Sequence, residues 1–306
     1  MKIHRKNIKY KYRRIGVGIT VFIAALSLVL MNLPRAQASQ LNKKYSFIKT
    51  NYTVPTSNVA WVAPNGNDTS GNGSEGSPYA TFKKALSSIS NGGTVVAKSG
   101  IYREPHFFIS GDNVTIQAAP GAEVWLKGSD VVNSWTSENG IWKTTGNYHN
   151  FCHVCTTNAN PSVEGVAAYP EQVFINDEPL KQVKTKAEVT PGSNTFYVED
   201  NTPTTLKTPN NNADGYNIGQ QDAISYYIGK NPASGVTEIS ERARAFTSTG
   251  KNVSVKGINV AQYSPVQVWG FQDPYDPAAE RGVYSGPTAV SINGTGSLVQ
   301  DMIVTQ

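Results

Sequence analysis

Apolar residues recur along this chain with two different periods. Phe82, Ala85, Leu86 and Ile89 fall at i, i+3, i+4 and i+7, the spacing of one helical face. The pattern predicts a helix from Thr81 to Ser90, capped by Ser77 or Thr81 and ended by Asn91-Gly92-Gly93. Elsewhere the period is two. Asn113 to Gln117, Asn252 to Lys256, Ala289 to Asn293 and Ser297 to Val304 alternate apolar with polar positions, with turn residues between them. The body is therefore expected to be all-β. Val253 and Leu298 lie 45 positions apart. That interval reads as two coils of roughly 20–25 residues, which stack because one coil alone cannot bury its apolar face. The pattern suggests a parallel β-helix.

The first 38 residues differ from the rest. Residues 1–14 are basic and polar, residues 15–33 are uncharged and apolar, and Ala36-Gln37-Ala38 follows Pro34. This is the layout of a secretory signal cleaved after Ala38. The alternative is an uncleaved anchor, since about 20 apolar residues span a bilayer. Both readings put the body outside the cytoplasm, secreted or at the cell surface. Residues 39–58 are polar and aperiodic and read as a linker.

Composition narrows the class. Of 306 residues, 39% are hydrophobic and 16% charged, with 27 Gly and 17 Pro. A disordered tail and a helical bundle are both excluded by that balance. The net charge of +5 comes from the leader, which holds eight Lys and Arg and no acid. Without it, 19 basic residues face 22 acidic ones, a net −3 that gives no reason to expect nucleic acid as a partner.

The two cysteines, Cys152 and Cys155, stand in Cys-His-Val-Cys beside His149 and His153. A local disulfide suits an exported protein. Zinc is the alternative, but it needs further ligands and no second Cys or His cluster exists. The turn-rich stretch Pro64 to Gly73 offers Asn67, Asp68 and Asn72 as calcium oxygens, although one carboxylate is few for such a site.

Residues 61–104 read W-V-A-P-N-G-N-D, then G-S-P-Y-A-T-F-K-K-A-L, then G-G-T-V-V-A-K-S-G-I-Y-R-E. This resembles the opening segment of secreted right-handed parallel β-helix proteins, the pectin-lyase-like superfamily. The resemblance implies a capping helix over the end of the coils. Gly128 to Trp142, and Tyr169 to Leu180 with its Q-V-F-I-N strand, are similar to a β-rich excursion in related exported proteins. The expected organisation is a signal at 1–38, a linker at 39–58, cap and first coils at 59–127, a β-rich insertion at 128–245 and further coils at 246–306. Such helices continue for many coils, so the chain is expected to be incomplete at its C-terminus.

The resemblance implies action on extracellular polysaccharide, as a uronate lyase or a glycoside hydrolase. Lyases of this architecture need a base and a group, calcium or a cation, to neutralise the uronate carboxylate. Asp273, Asp276, Glu280 and Arg281 form the dense polar constellation of the coil region; the alternative is a solvated loop with Pro274 and Pro277 as turn residues. Trp269, Phe271 and Tyr275 beside it are the candidate sugar-stacking rings. A non-catalytic glycan-binding or adhesion module, or a scaffold without ligand, are the competing readings. The protein is expected as a monomer, with no membrane partner beyond the signal segment.

Overall fold

The computed structural model describes residues 48–149, 171–200, 221–264 and 288–305. The leader, the Cys152/Cys155 pair and the whole 269–281 constellation lie outside the described residues.

The chain begins with β1 (Val59–Val62), the short helix α1 (Phe82–Leu86), β2 (Thr94–Ala97), β3 (Gly100–Tyr102), β4 (Phe107–Ile109), β5 (Thr115–Ala118) and β6 (Val124–Lys127). β1, β2 and β5 pair in parallel, as do β3 and β6. Thr94 faces Thr115, so one pass of the chain here takes 21 residues. After a long excursion come β16 (Phe246–Ser248), β17 (Ser254–Lys256), β18 (Ile258–Ala261), β19 (Val290–Ile292), β20 (Leu298–Gln300) and β21 (Val304–Thr305). These extend the same three sheets in parallel register. β17 and β20 join the first sheet, β18 and β21 the second, and β16 and β19 pair with β4 in the third. Ser254 faces Leu298 directly, so the interval read as two coils is a single pass of 44 residues. Sequence reading counted two compact coils where the register shows one longer pass.

The three sheets enclose one core. Val95, Ile116 and Val255 point inward from the first sheet, Val124, Leu126, Ile258 and Val260 from the second, and Phe107, Ile109 and Phe246 from the third. Phe82, Phe107 and Phe246 stack with centroids 5.5 and 5.6 Å apart. Through Phe82, α1 closes one end of this core. Thr81 caps it, its hydroxyl accepting from Lys84 N. The helix is shorter than its periodicity predicts, because the Ser87 and Ser88 hydroxyls donate to the Lys84 and Ala85 carbonyls at its end.

Corners repeat along with strands. Gly92, Asn113, Asn252 and Gly296 occupy equivalent register positions before the first-sheet strands and have φ of 77°, 59°, 54° and 74°. This left-handed region suits glycine and asparagine. Asn252 Nδ2 donates to Asn113 Oδ1 at 3.1 Å, linking successive corners. The segment read as a linker lies against these passes at its described end. Gly121 N donates to the Thr50 carbonyl at 2.8 Å, and the Tyr52 hydroxyl donates to the Asp301 carboxylate.

The excursion between β6 and β16 is a second structure of two sheets. One is antiparallel, in the order β11 (Glu178–Pro179), β10 (Val173–Ile175), β15 (Thr237–Ser240), β7 (Ser129–Val131). The other runs β12 (Lys181–Gln182), β13 (Thr195–Asp200), β14 (Gln221–Ile228), β9 (Ile141–His149), β8 (Thr136–Glu138). Between them Val173, Ile175, Phe196, Ile224, Tyr226, Ile228 and Ile239 form one buried cluster. Sequence and structure agree that the chain is nearly all β, with one short α-helix among the described residues.

Candidate functional site

Ionisable side chains gather where the excursion leaves and rejoins the parallel sheets. They form two groups of different character.

The first group is centred on Lys127, 1% exposed at the end of β6. Alternation puts Val124 and Leu126 into the core, so Lys127 points outward, under the antiparallel sheet. Its ammonium donates to both Glu238 oxygens, at 2.8 and 2.9 Å, and to Asp177. Arg103 donates to Glu238 from the other side. Gln262 Nε2 donates to Asp177 at 2.9 Å and to Glu238 at 3.2 Å, while the Ser129 hydroxyl donates to Gln262 Oε1. Burial pushes the Glu238 carboxyl upward, but Lys127 and Arg103 outweigh it and hold the group below its ordinary range. Two cations balance two carboxylates. Gln262 and Asp177 both have positive φ, 61° and 64°, so the network fixes two residues in a costly backbone region. A buried network this fully bonded is a joint between two sheets rather than a place for a ligand.

The second group lies beside it. Arg242 holds Asp130 in a two-pronged bond of 2.9 and 3.1 Å. Its neighbour Glu241 accepts the His149 backbone N–H on Oε2 at 2.9 Å. Tyr226, fully buried, packs edge-on to Tyr148 with centroids 5.1 Å apart, and Tyr148 shares a 2.9 Å hydroxyl contact with Thr144. Gln182 Nε2 donates to Glu171 at 3.2 Å. Among the described residues, Tyr226 Oη, Glu241 Oε1 and Gln182 Oε1 are buried without a hydrogen-bond partner. Buried polar atoms usually have a partner, which an ordered water can supply.

Charge states follow from burial. Desolvation pushes Glu241 up to about 8, against the His149 N–H bond, so this carboxyl carries its proton at neutral pH. Burial, with Arg242 adding, pushes His149 down to about 4 and keeps it neutral. Burial lifts the Tyr226 phenol well above its ordinary value, and Glu171, Glu241 and Tyr148 nearby add to it. The set therefore offers hydroxyl, carboxylic acid, carboxamide and carboxylate groups of the kinds used in acid–base work and in hydrogen bonding.

The other sequence candidates are placed plainly. Asn67 Oδ1 accepts from Thr69 N and Ser70 N, Asp68 from Ala80 N, Thr81 N and the Thr81 hydroxyl, and Asn72 from Ser74 N. The oxygens read as calcium ligands are spent on backbone turns and on the start of α1. His106 is buried, with Nε2 3.0 Å from the Thr247 hydroxyl. A groove beside α1, lined among others by Leu86, Asn91 and Phe108, holds no titratable side chain. Trp269, Phe271, Tyr275, Asp273, Asp276, Glu280 and Arg281 lie outside the described residues. Of the residues now brought together, sequence reading had marked His149, beside the cysteine pair. It missed Glu241 and Arg242, whose signal is a charged pair directly after the buried strand β15.

No family model matches the chain, and no curated protein matches it in sequence. Solved structures do. The complex of XylC with xylose is similar over 67% of this chain and 35% of that one, at 18% identity and a TM-score of 0.50. A glycoside hydrolase is similar over 68% of this chain and 51% of that one, at 13% identity and a TM-score of 0.40. The chain thus spans about a third of the XylC chain's length. At such identity the XylC likeness concerns the fold.

Proposed function

We propose that this is an exported protein that binds or cleaves extracellular polysaccharide, built on a right-handed parallel β-helix of the pectin-lyase-like kind. In this reading residues 1–38 direct export, 39–58 link, 59–127 and 246–306 are coils, and 128–245 is the inserted β-rich unit. The observation that carries it is the pairing of a three-sheet parallel stack with a two-sheet excursion, in a fold similar to that of a protein solved with a sugar bound. Fold likeness alone does not assign function.

The test is retention on immobilised neutral and uronate polysaccharides, followed by analysis of released products. The reading expects retention. New reducing ends mark hydrolysis, ultraviolet-absorbing 4,5-unsaturated ends mark a lyase, and retention with neither marks a binding module. A protein that neither retains nor alters any polysaccharide contradicts the reading.

A further inference from the structure

The segment ahead of β1 lies across the stack of passes. Thr50 is buried, Tyr52 and Val54 are half-buried, and Lys49, Asn51 and Thr53 are exposed, so alternate side chains face the passes. It touches three passes at the corner between the first and second sheets. On the first, the Thr53 carbonyl accepts from Gln117 Nε2 at 3.1 Å and the Thr50 carbonyl from Gly121 N at 2.8 Å. On the second, the Lys256 ammonium lies 5.7 Å from the centre of the Tyr52 ring. A methyl group at Gly257 would meet Thr50 Oγ1 at 3.0 Å and Tyr52 Cε2 at 3.4 Å, so the segment is seated closely there. On the third, the Tyr52 hydroxyl donates to Asp301. Gln117, Lys256 and Gln300 are register neighbours on β5, β17 and β20, so the segment crosses successive strands rather than following one.

The pass of β19, β20 and β21 is the weakly held one. Among the described residues each of its strands pairs on one side only. Leu298, Val299 and Val304 are 45%, 41% and 59% exposed, and Val290, Ile292 and Met302 are only partly buried against the core. Ile116 of β5 and Val255 of β17 are fully buried by contrast. A pass with so little burial opens locally at low cost, so one hydrogen bond to a carboxylate is a large share of what holds it. We infer that residues 50–54 are a latch: the bond from Tyr52 to Asp301 holds the pass of β19–β21 on the stack, and its release lets that pass open while the rest stays folded. Burial pushes the Tyr52 phenol above its ordinary value and the Asp301 bond adds to it, so the hydroxyl keeps the proton it donates.

The experiment is amide hydrogen exchange of the full chain, read by mass spectrometry on peptides from β19–β21, from β2–β5 and from the excursion sheets. Tyr52→Phe removes the hydroxyl alone. Asp301→Gly removes the carboxylate, and glycine suits the φ of 52° at that position. In the native fold Leu298 N donates to the Val253 carbonyl at 2.7 Å and Ile303 N to Asn259 Oδ1 at 3.0 Å. Each variant should speed exchange of these amides roughly tenfold, the scale for losing a hydrogen bond to a charged group. Exchange in β2–β5 and in the excursion should stay as in the native protein. Both substitutions remove the same bond, so adding Tyr52→Phe to Asp301→Gly should change nothing further.

Unchanged exchange of the β20 and β21 peptides in Tyr52→Phe overturns the latch. An equal rise in every peptide overturns it too, because the bond would then act on global unfolding rather than on this pass. Effects of the two substitutions that add in the double variant would show that Tyr52 and Asp301 act separately, and the latch falls in that case as well.

Discussion

The backbone N–H of His149 donates to Glu241 Oε2 at 2.9 Å, tying the end of β9 to the residue that follows β15. The bond stabilises the ionised carboxyl, yet burial outweighs it and leaves Glu241 at about 8. Between the unfolded value of about 4.5 and about 8 the folded state holds a proton that the unfolded chain has lost. Stability from this group is therefore full below about 4.5 and falls as pH rises through that window. Glu104, raised by burial to about 7, acts in the same direction. His149, lowered to about 4, acts oppositely and loses stability as pH falls from 6.5. Glu241→Gln should gain stability relative to the native protein as pH increases from 5 to 8. Thermal melts of both proteins at pH 5, 6.5 and 8 check this, and a difference that stays constant across pH refutes it.

Lys127 supplies the ammonium between Asp177 and Glu238. Lys127→Met would leave two buried carboxylates with too few partners, since Arg103 reaches only Glu238. The expected loss is about 3–5 kcal/mol in urea unfolding. A loss under about 1 kcal/mol would mean the joint between the two structures does not depend on this ion.

Asn252 combines a left-handed backbone with a bond to Asn113. Asn252→Ala should cost about 1–2 kcal/mol for the backbone alone and more for the lost bond. Asn252→Gly removes the bond but relieves the backbone, so it should cost less than alanine. Equal costs in chemical denaturation would show that corner conformation is not what this residue provides.

Asp68 receives three donors at the start of α1. Asp68→Ala should destabilise by about 1–2 kcal/mol, the usual scale for losing a helix-end cap. Calorimetric melts read the change.

Local order was legible in the sequence, and convergence was not. The apolar face of α1 and the inward positions of β5 and β17 follow from side-chain periodicity, because neighbours within a strand decide which face is buried. The Thr81 cap was also legible, since a capping residue and its helix are adjacent. Lys127, Asp177, Glu238 and Gln262 are 24 to 111 positions apart along their bonds, and no local pattern links them. Lys127 even occupies an alternating polar position that reads as solvent-facing, and only the antiparallel sheet laid over it makes it buried. The pass length failed for a related reason. Period counts assume that every pass is compact, and two of these passes carry long additions between their strands.

The most direct test of the central claim is affinity electrophoresis of the full chain through gels cast with neutral or uronate polysaccharide. The account predicts retardation in at least one of these gels, relieved by adding the same polysaccharide in free form. Unretarded migration in every gel would contradict it.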